Sequence, residues 1–339
     1  MVKNIVLWLL VSCLSLYAEA LAKRTQVMMG TYASVSLSKE NLYLSKDVFK
    51  RLKDVENSLS SYDVQADIFK LNNTGETSIS SDTYEALALS KEYYQKTDGY
   101  FDISIGSITR GLFHFGEDEV IPSKKARLYA KVDFKGLHFD KERAWIHQGV
   151  KLDLGGMGKG FGVDKAKEVL INKSVKEGVI ALSGDIFCLH RCEMSVQDPF
   201  SENILASFVM ADEMTSISTS GNYRRYVKST DYNHLINPKT KSPQKTFASI
   251  TLISSSYSNS DLDAYATAAS VMPKVEAFRF LNRHDLGYLI VSNDKLIYKN
   301  EMLSKFTNEL KIRKYRDLLQ KEYIKVVPSR TQNSKKPRL

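Results

Sequence analysis

The chain has 339 residues, 43% of them hydrophobic, and a formal net charge of +9. That much apolar material excludes wholesale disorder and suffices for the core of one large domain or two lobes. The charge excludes a nucleic-acid-binding body, because residues 311–339 hold ten Lys/Arg against two Asp/Glu and so supply +8 of the +9.

Residues 1–20 have the pattern of an export signal: Lys3, an apolar run over residues 5–17, and Ala18-Glu19-Ala20 as a small-x-small cleavage site. Leu10-Val11-Ser12-Cys13 loosely matches a lipid-attachment motif, although the apolar run continues past Cys13. An exported, periplasmic protein is expected, with inner-membrane association or a lipid anchor as further alternatives. Alternation of Ala33, Val35 and Leu37 predicts a half-buried strand within residues 26–38. Leu44, Val48, Leu52, Val55 and Leu59 predict an amphipathic helix over residues 41–59. Asp82 with Glu85 predicts a capping box for a helix that ends near Gly99. A hairpin around Gln148-Gly149 leads into the central stretch.

There Val150, Leu152 and Leu154 alternate like a strand and run into Gly155, Gly156, Gly158 and Gly160, after which a helix is predicted. Glycines before a helix N-terminus let a diphosphate approach the backbone N–H groups, but they serve equally well for close packing. The spacing matches neither a P-loop nor G-x-G-x-x-G. Cys188 and Cys192 can close a disulfide across a tight turn or remain thiols. A strand is predicted over residues 248–254 and a helix start near Ser258. Asp263 and Thr267, four apart, put two oxygens on one helix face and could hold a hard cation; Ser260-x-x-Asp263 reads equally as a capping box. His234 suits a general base, its ordinary pKa lying near neutrality. Tyr62, Phe113 and Tyr223 offer rings to an aromatic ligand. At the end Phe306, Leu310, Tyr315, Leu318, Leu319 and Tyr323 form an apolar stripe, and residues 327–339 have a disordered composition.

In this order, Met29-Gly-Thr31, Ser61-Tyr62, Phe101-Asp-Ile-Ser-Ile-Gly106, Leu152-Asp-Leu-Gly-Gly-x-Gly-Lys-Gly-x-Gly-Val-Asp164, Gly184-Asp185, Thr219-Ser-Gly-x-Tyr223, His234-Leu-Ile-Asn-Pro238 and Asp263-Ala-x-Ala-Thr267 resemble the ApbE-type FAD:protein FMN transferases. The resemblance implies an α+β, T-fold-related architecture with mixed and antiparallel sheets, flanking helices and a cleft between two lobes, formed by residues 21–310, with 311–339 as a basic extension. It implies an enzyme that takes FAD with Mg²⁺ and joins FMN through its phosphate to a Thr or Ser hydroxyl, releasing AMP. It places FAD against Met29, Tyr62, Leu112, Phe113, His114, Asp153, Lys159 and Ile236. Mg²⁺ would sit on Asp263, Thr267 and backbone oxygen of Gly156 and Ala266, with His234 and Asp263 catalytic. The acceptor implied is a membrane redox-complex subunit with a Ser/Thr flavinylation motif, and the basic tail suits contact with an anionic membrane. FAD hydrolysis to FMN and AMP, or flavin binding without turnover, are the alternatives. The chain departs from the family at Ser183, where Gly is usual, at Asn237, where Asp is usual, at Lys241, where Gly is usual, and at Leu112-Phe113, which replaces a shifted Leu-Trp.

Overall fold

The computed structural model describes residues 21–313, 315 and 324–328; the expected leader, Cys13 and most of the basic tail lie outside them. Its centre is a nine-stranded sheet in the order Ala22–Met28, Thr31–Leu37, Gly178–Leu182, Asp185–Cys188, Thr215–Gly221, Phe247–Ser254, Gly287–Ser292, Ile297–Asn300 and Ile324–Val327. Neighbours run antiparallel except the last pair, which is parallel. Strand Phe247–Ser254 is buried at every position because both faces are covered. Ile250 and Leu252 face the helical layer, whereas Ile253 faces a small sheet of Glu193–Gln197, Ile204–Met210 and Thr307–Ile312 on the other side.

The helical layer is a stack. Helix Ser45–Leu59, which buries Val48, Leu52, Val55 and Leu59 as its periodicity requires, packs on Gly158–Asn172, and that helix packs on Asn259–Val271. The second contact needs a glycine, since a Cβ on Gly160 would overlap the backbone of Asn259. Asp164, one turn further on, accepts the backbone N–H groups of Asn259 (3.0 Å) and Ser260 (2.8 Å) and the Ser260 hydroxyl (2.7 Å). A carboxylate of one helix thereby supplies acceptors to the free N-terminal donors of the next.

Several local expectations are corrected. Residues 151–154 keep the buried alternation of Leu152 and Leu154 but form no strand. Their backbone is tied instead to Asn72, whose side chain bonds both N–H (2.7 Å) and C=O (2.8 Å) of Leu152, to Ser107 and to Ile103. The hairpin precedes Gln148-Gly149: Leu137–Phe139 pairs with Arg143–Ile146, and Gly149 at φ +87° only turns the chain. Helix Ser81–Lys96 is capped by Ser80, not Asp82, which is held bidentately by Arg51 at 2.5 and 2.7 Å. In helix Asn259–Val271 the capping box is Ser258 with Asp261, so Asp263 is released from that role. The boundary expected after residue 310 falls inside strand Thr307–Ile312, and Leu310, Ile312 and Tyr315 pack against the core that the small sheet shares with Ile253. Of the two alternatives for the cysteines the disulfide is present, joining Cys188 at the end of strand Asp185–Cys188 to Cys192 just before Glu193–Gln197. Among the described residues no helix is long and apolar enough to cross a membrane.

Asp164→Ala should leave the buried N–H groups of Asn259 and Ser260 without acceptors and lower unfolding free energy by about 3 kcal/mol. Urea denaturation checks this; a loss near zero would mean that water replaces the carboxylate at no cost.

Candidate active site

Helix Gly158–Asn172 begins without a side-chain cap, its first turn being Gly158-Lys159-Gly160. The close approach at Gly160 brings Asp263 against that turn. Its Oδ2 accepts the Gly160 N–H at 3.2 Å and lies 3.0 Å from Lys159 Nζ, with Oδ1 at 3.3 Å. Lys159 also forms an ion pair at 2.9 Å with Asp185, on a neighbouring strand, whose other oxygen accepts from Ser218 (2.6 Å). Burial, then the charge of Asp263, pushes the Asp185 carboxyl up to about 7 against the pull of Lys159 and Ser218. Burial opposes the Lys159 charge, but Asp185 and Asp263 together outweigh it and raise the ammonium's pKa.

One turn beyond Asp263, Thr267 Oγ1 stands 3.4 Å from Ser220 Oγ. A Cβ on Gly156 would come 3.0 Å from Thr267 Cγ2 and 3.3 Å from Oγ1, so the glycine loop lies directly on this hydroxyl. Gly156, Asp263 and Thr267 are therefore together. Ala266 is adjacent but fully buried, and its carbonyl already accepts from Ser270 Oγ (2.8 Å).

The remaining groups are carried by residues 99–116 and 222–236, together with Met29, Tyr62 and Asp153. A π-type turn, Thr109–Phe113, ends at His114 in the left-handed region (φ +52°), a helix irregularity often found at functional sites. Phe113 stacks on Phe115 at 4.8 Å and, with Ile236, faces a small core. Those two thus offer a ligand backbone rather than side chain, while Leu112 and His114 are half-buried. Asp153 accepts the Gly155 N–H at 2.9 Å and the Thr109 hydroxyl at 2.7 Å. Tyr62, 39% exposed, donates to the Phe115 carbonyl (2.9 Å) beneath the Arg110 guanidinium, 3.7 Å above its ring, and accepts from Arg225. Met29, at φ +49°, donates its N–H to Glu56 (2.7 Å) and lays its thioether beside Gly158 and Gly162. Tyr223 is half-buried against Gly221.

His234 Nδ1 is 3.0 Å from the Arg225 carbonyl. A carbonyl only accepts, so Nδ1 carries the hydrogen and Nε2 keeps its lone pair. The ordinary imidazole pKa expected from the sequence does not hold: burial, then the Arg225 charge, lowers it to about 4, with Lys159 acting the same way and Asp153 opposing. His234 thus shares one electrostatic neighbourhood with both groups of residues.

Arg110, Arg225 and Thr109 were not singled out from the sequence, and Asp185 and Ser220 entered only as members of the Gly184-Asp185 and Thr219-Ser-Gly-x-Tyr223 motifs, with no role assigned. Ser183 and Lys241, at positions where the resembled family usually has Gly, both adopt left-handed backbone (φ +58° and +55°), and Lys241 is anchored to the carbonyls of Leu128 and Ala130. Asn237 accepts two backbone N–H groups and donates to the Val271 carbonyl at 2.6 Å, a bond that an ionised Asp could not make.

Comparison with known proteins gives a consistent result. The ApbE family profile matches residues 29–290. The FAD:protein FMN transferase of Haemophilus influenzae is 24% identical over 330 residues, covering 86% of this chain and 94% of its own. That of Treponema pallidum is 25% identical over 287 residues, covering 74% and 78%. An ApbE protein from Thermotoga maritima superposes with a TM-score of 0.78 at 21% identity, over 85% of this chain and all of its own. The flavin transferase ApbE from Vibrio cholerae gives 0.73 at 18% identity, over 84% and 99%. These two structures share the fold.

Because the folded protein holds His234 neutral, it binds fewer protons than the unfolded chain below pH ~6.5, and stability from this residue falls as pH drops from there toward about 4. NMR titration of the His234 ring should give a midpoint near 4. A midpoint near 6.5 would show a solvated imidazole.

Proposed function

The chain belongs to the ApbE family, and from that premise we propose that it is an FAD:protein FMN transferase, moving FMN from FAD to a Thr or Ser hydroxyl of a target protein and releasing AMP. The observation that carries the mechanism is His234, held neutral with Nε2 free beside the Lys159–Asp263 centre. The diphosphate would lie along the glycine turn, whose N–H groups and Lys159 ammonium complement its charge. The accepting hydroxyl attacks the FMN phosphorus in line as its proton passes to His234 Nε2, and the bridging oxygen leaves with AMP. Tyr62 and Arg110 form a flat cationic platform suited to an aromatic ring of FAD, and Asp153, locked by Thr109 and Gly155, fixes the loop between them.

Mg²⁺ fits the oxygen donors Asp263, Thr267 and the Gly156 carbonyl, and fits Ala266 less well because that carbonyl is engaged by Ser270. When bound it would neutralise diphosphate charge. Among the described residues no three His, Cys, Asp or Glu converge, in keeping with a site that uses one carboxylate and neutral oxygens. The leader pattern of residues 1–20 supports export, and the basic composition of 311–339 supports contact with an anionic membrane, where a redox subunit carrying a flavinylation motif would be met.

Incubation with FAD, Mg²⁺ and such an acceptor should yield flavin that stays on the acceptor after denaturation. His234→Ala should lower transfer at least about a hundredfold while FAD affinity stays within a few-fold, since a general base acts in the transition state. Asp263→Asn should keep the fold, Asp263 having no cap role, and abolish both transfer and the tightening of FAD binding by Mg²⁺. FMN released equally fast without acceptor would mark the enzyme as an FAD hydrolase instead.

A further inference from the structure

Outside this site, the three-stranded sheet of Glu76–Ser78, Arg143–Ile146 and Leu137–Phe139 turns a distinctive face to solvent. Residues directly opposite on antiparallel strands share a face, and Glu76, Trp145 and His138 stand in one such row. His147, two residues past Trp145, lies on the same side by the alternation of the strand. Ala144 and Leu137 turn the other way into the core, whereas His138, Trp145 and His147 are exposed.

Both imidazoles are held in place. The His138 ring lies nearly parallel to the Trp145 indole, at 5.7 Å and 19°. The His147 ring packs against Gly136, where even a Cβ would come 3.2 Å from Nδ1. Their Nε2 atoms meet at 3.3 Å. Without an ion one Nε2–H donates to the other ring nitrogen. On an ion with metal–nitrogen bonds of ~2.0–2.1 Å two nitrogens stand about 3.3 Å apart in tetrahedral and about 2.9 Å apart in square-planar geometry, so small ring rotations convert the pair into a chelate. Glu76 is not a third ligand, being paired with Arg143.

We propose that His138 and His147 form a two-imidazole site for a first-row transition-metal dication, Cu²⁺, Ni²⁺ or Zn²⁺, with water completing the shell. Imidazole nitrogen favours these ions, whereas Mg²⁺ favours the oxygen set at Asp263, so the two sites are chemically separate. A bound ion ties together the two strands of the hairpin that leads into residues 150–154, the segment that carries Asp153. The site is independent of flavin transfer.

The chain has two tryptophans, Trp8 and Trp145. In full-length protein carrying Trp8→Phe, Cu²⁺ should quench Trp145 fluorescence saturably through the His138 ring stacked on it. His138→Gln and His147→Gln, both solvent-facing, should each raise the half-saturating Cu²⁺ concentration by at least about tenfold, with the far-UV circular dichroism unchanged. Asp263→Asn should leave the curve unaltered, and excess Mg²⁺ should not compete. Absence of saturable quenching, quenching that survives either histidine substitution, or loss of quenching in Asp263→Asn would each overturn the assignment.

Discussion

Asp185 and Asp263 share the ammonium of Lys159 in a buried setting where each unpaired charge would cost several kcal/mol, and the arrangement of the site follows from keeping these three groups together. Lys159 can reach both carboxylates only from the first turn of its helix. That turn can lie against Asp263 only if residue 160 has no side chain. The carboxylates outnumber the ammonium, which leaves residual negative charge beside the glycine turn. On the function proposed above, a cation and a diphosphate would enter such a centre together, because each relieves the charge that the other leaves exposed.

The second half of the site is built by different means. Tyr62, Arg110, Arg225 and His234 come from three separate segments and are connected chiefly through carbonyl oxygens, those of Phe115 and Arg225. This suits the work proposed for them. A ring platform and a neutral base need fixed orientation without strong fields, and backbone acceptors supply orientation while leaving the imidazole uncharged.

Much of this was legible in the sequence. The buried stripes of residues 45–59 and 31–37, the glycine turn, and the pairing of Asp263 with Thr267 are periodicity and spacing effects, which a helix or strand converts directly into geometry. What escaped was set by distant partners. Residues 151–154 alternate like a strand, but Asn72, Ser107 and Ile103 take their backbone bonds. Asp82 had the pattern of a cap until Arg51 claimed it, and Ser258 with Asp261 left Asp263 unemployed at the helix start. Asp185, which the Gly184-Asp185 motif marked without a role, gains its significance from Lys159, whose helix precedes it, and from Asp263, far along the chain. Phe113 could be read as a ligand-stacking ring because nothing local reveals that Phe115 already covers it.

The clasp of Asp164 on Ser260 closes a separation of 96 residues, and that of Lys159 on Asp263 one of 104. Closing a loop of this length costs about 3 kcal/mol more in chain entropy than closing one helical turn, and nothing local repays it beforehand. The early-made part of the chain therefore contains the whole glycine turn yet has no anion site, since the carboxylate that positions Lys159 and the helix that seats Gly160 arrive only with residues 259–271. Whatever this centre binds, its assembly therefore depends on residues 259–271 being in place.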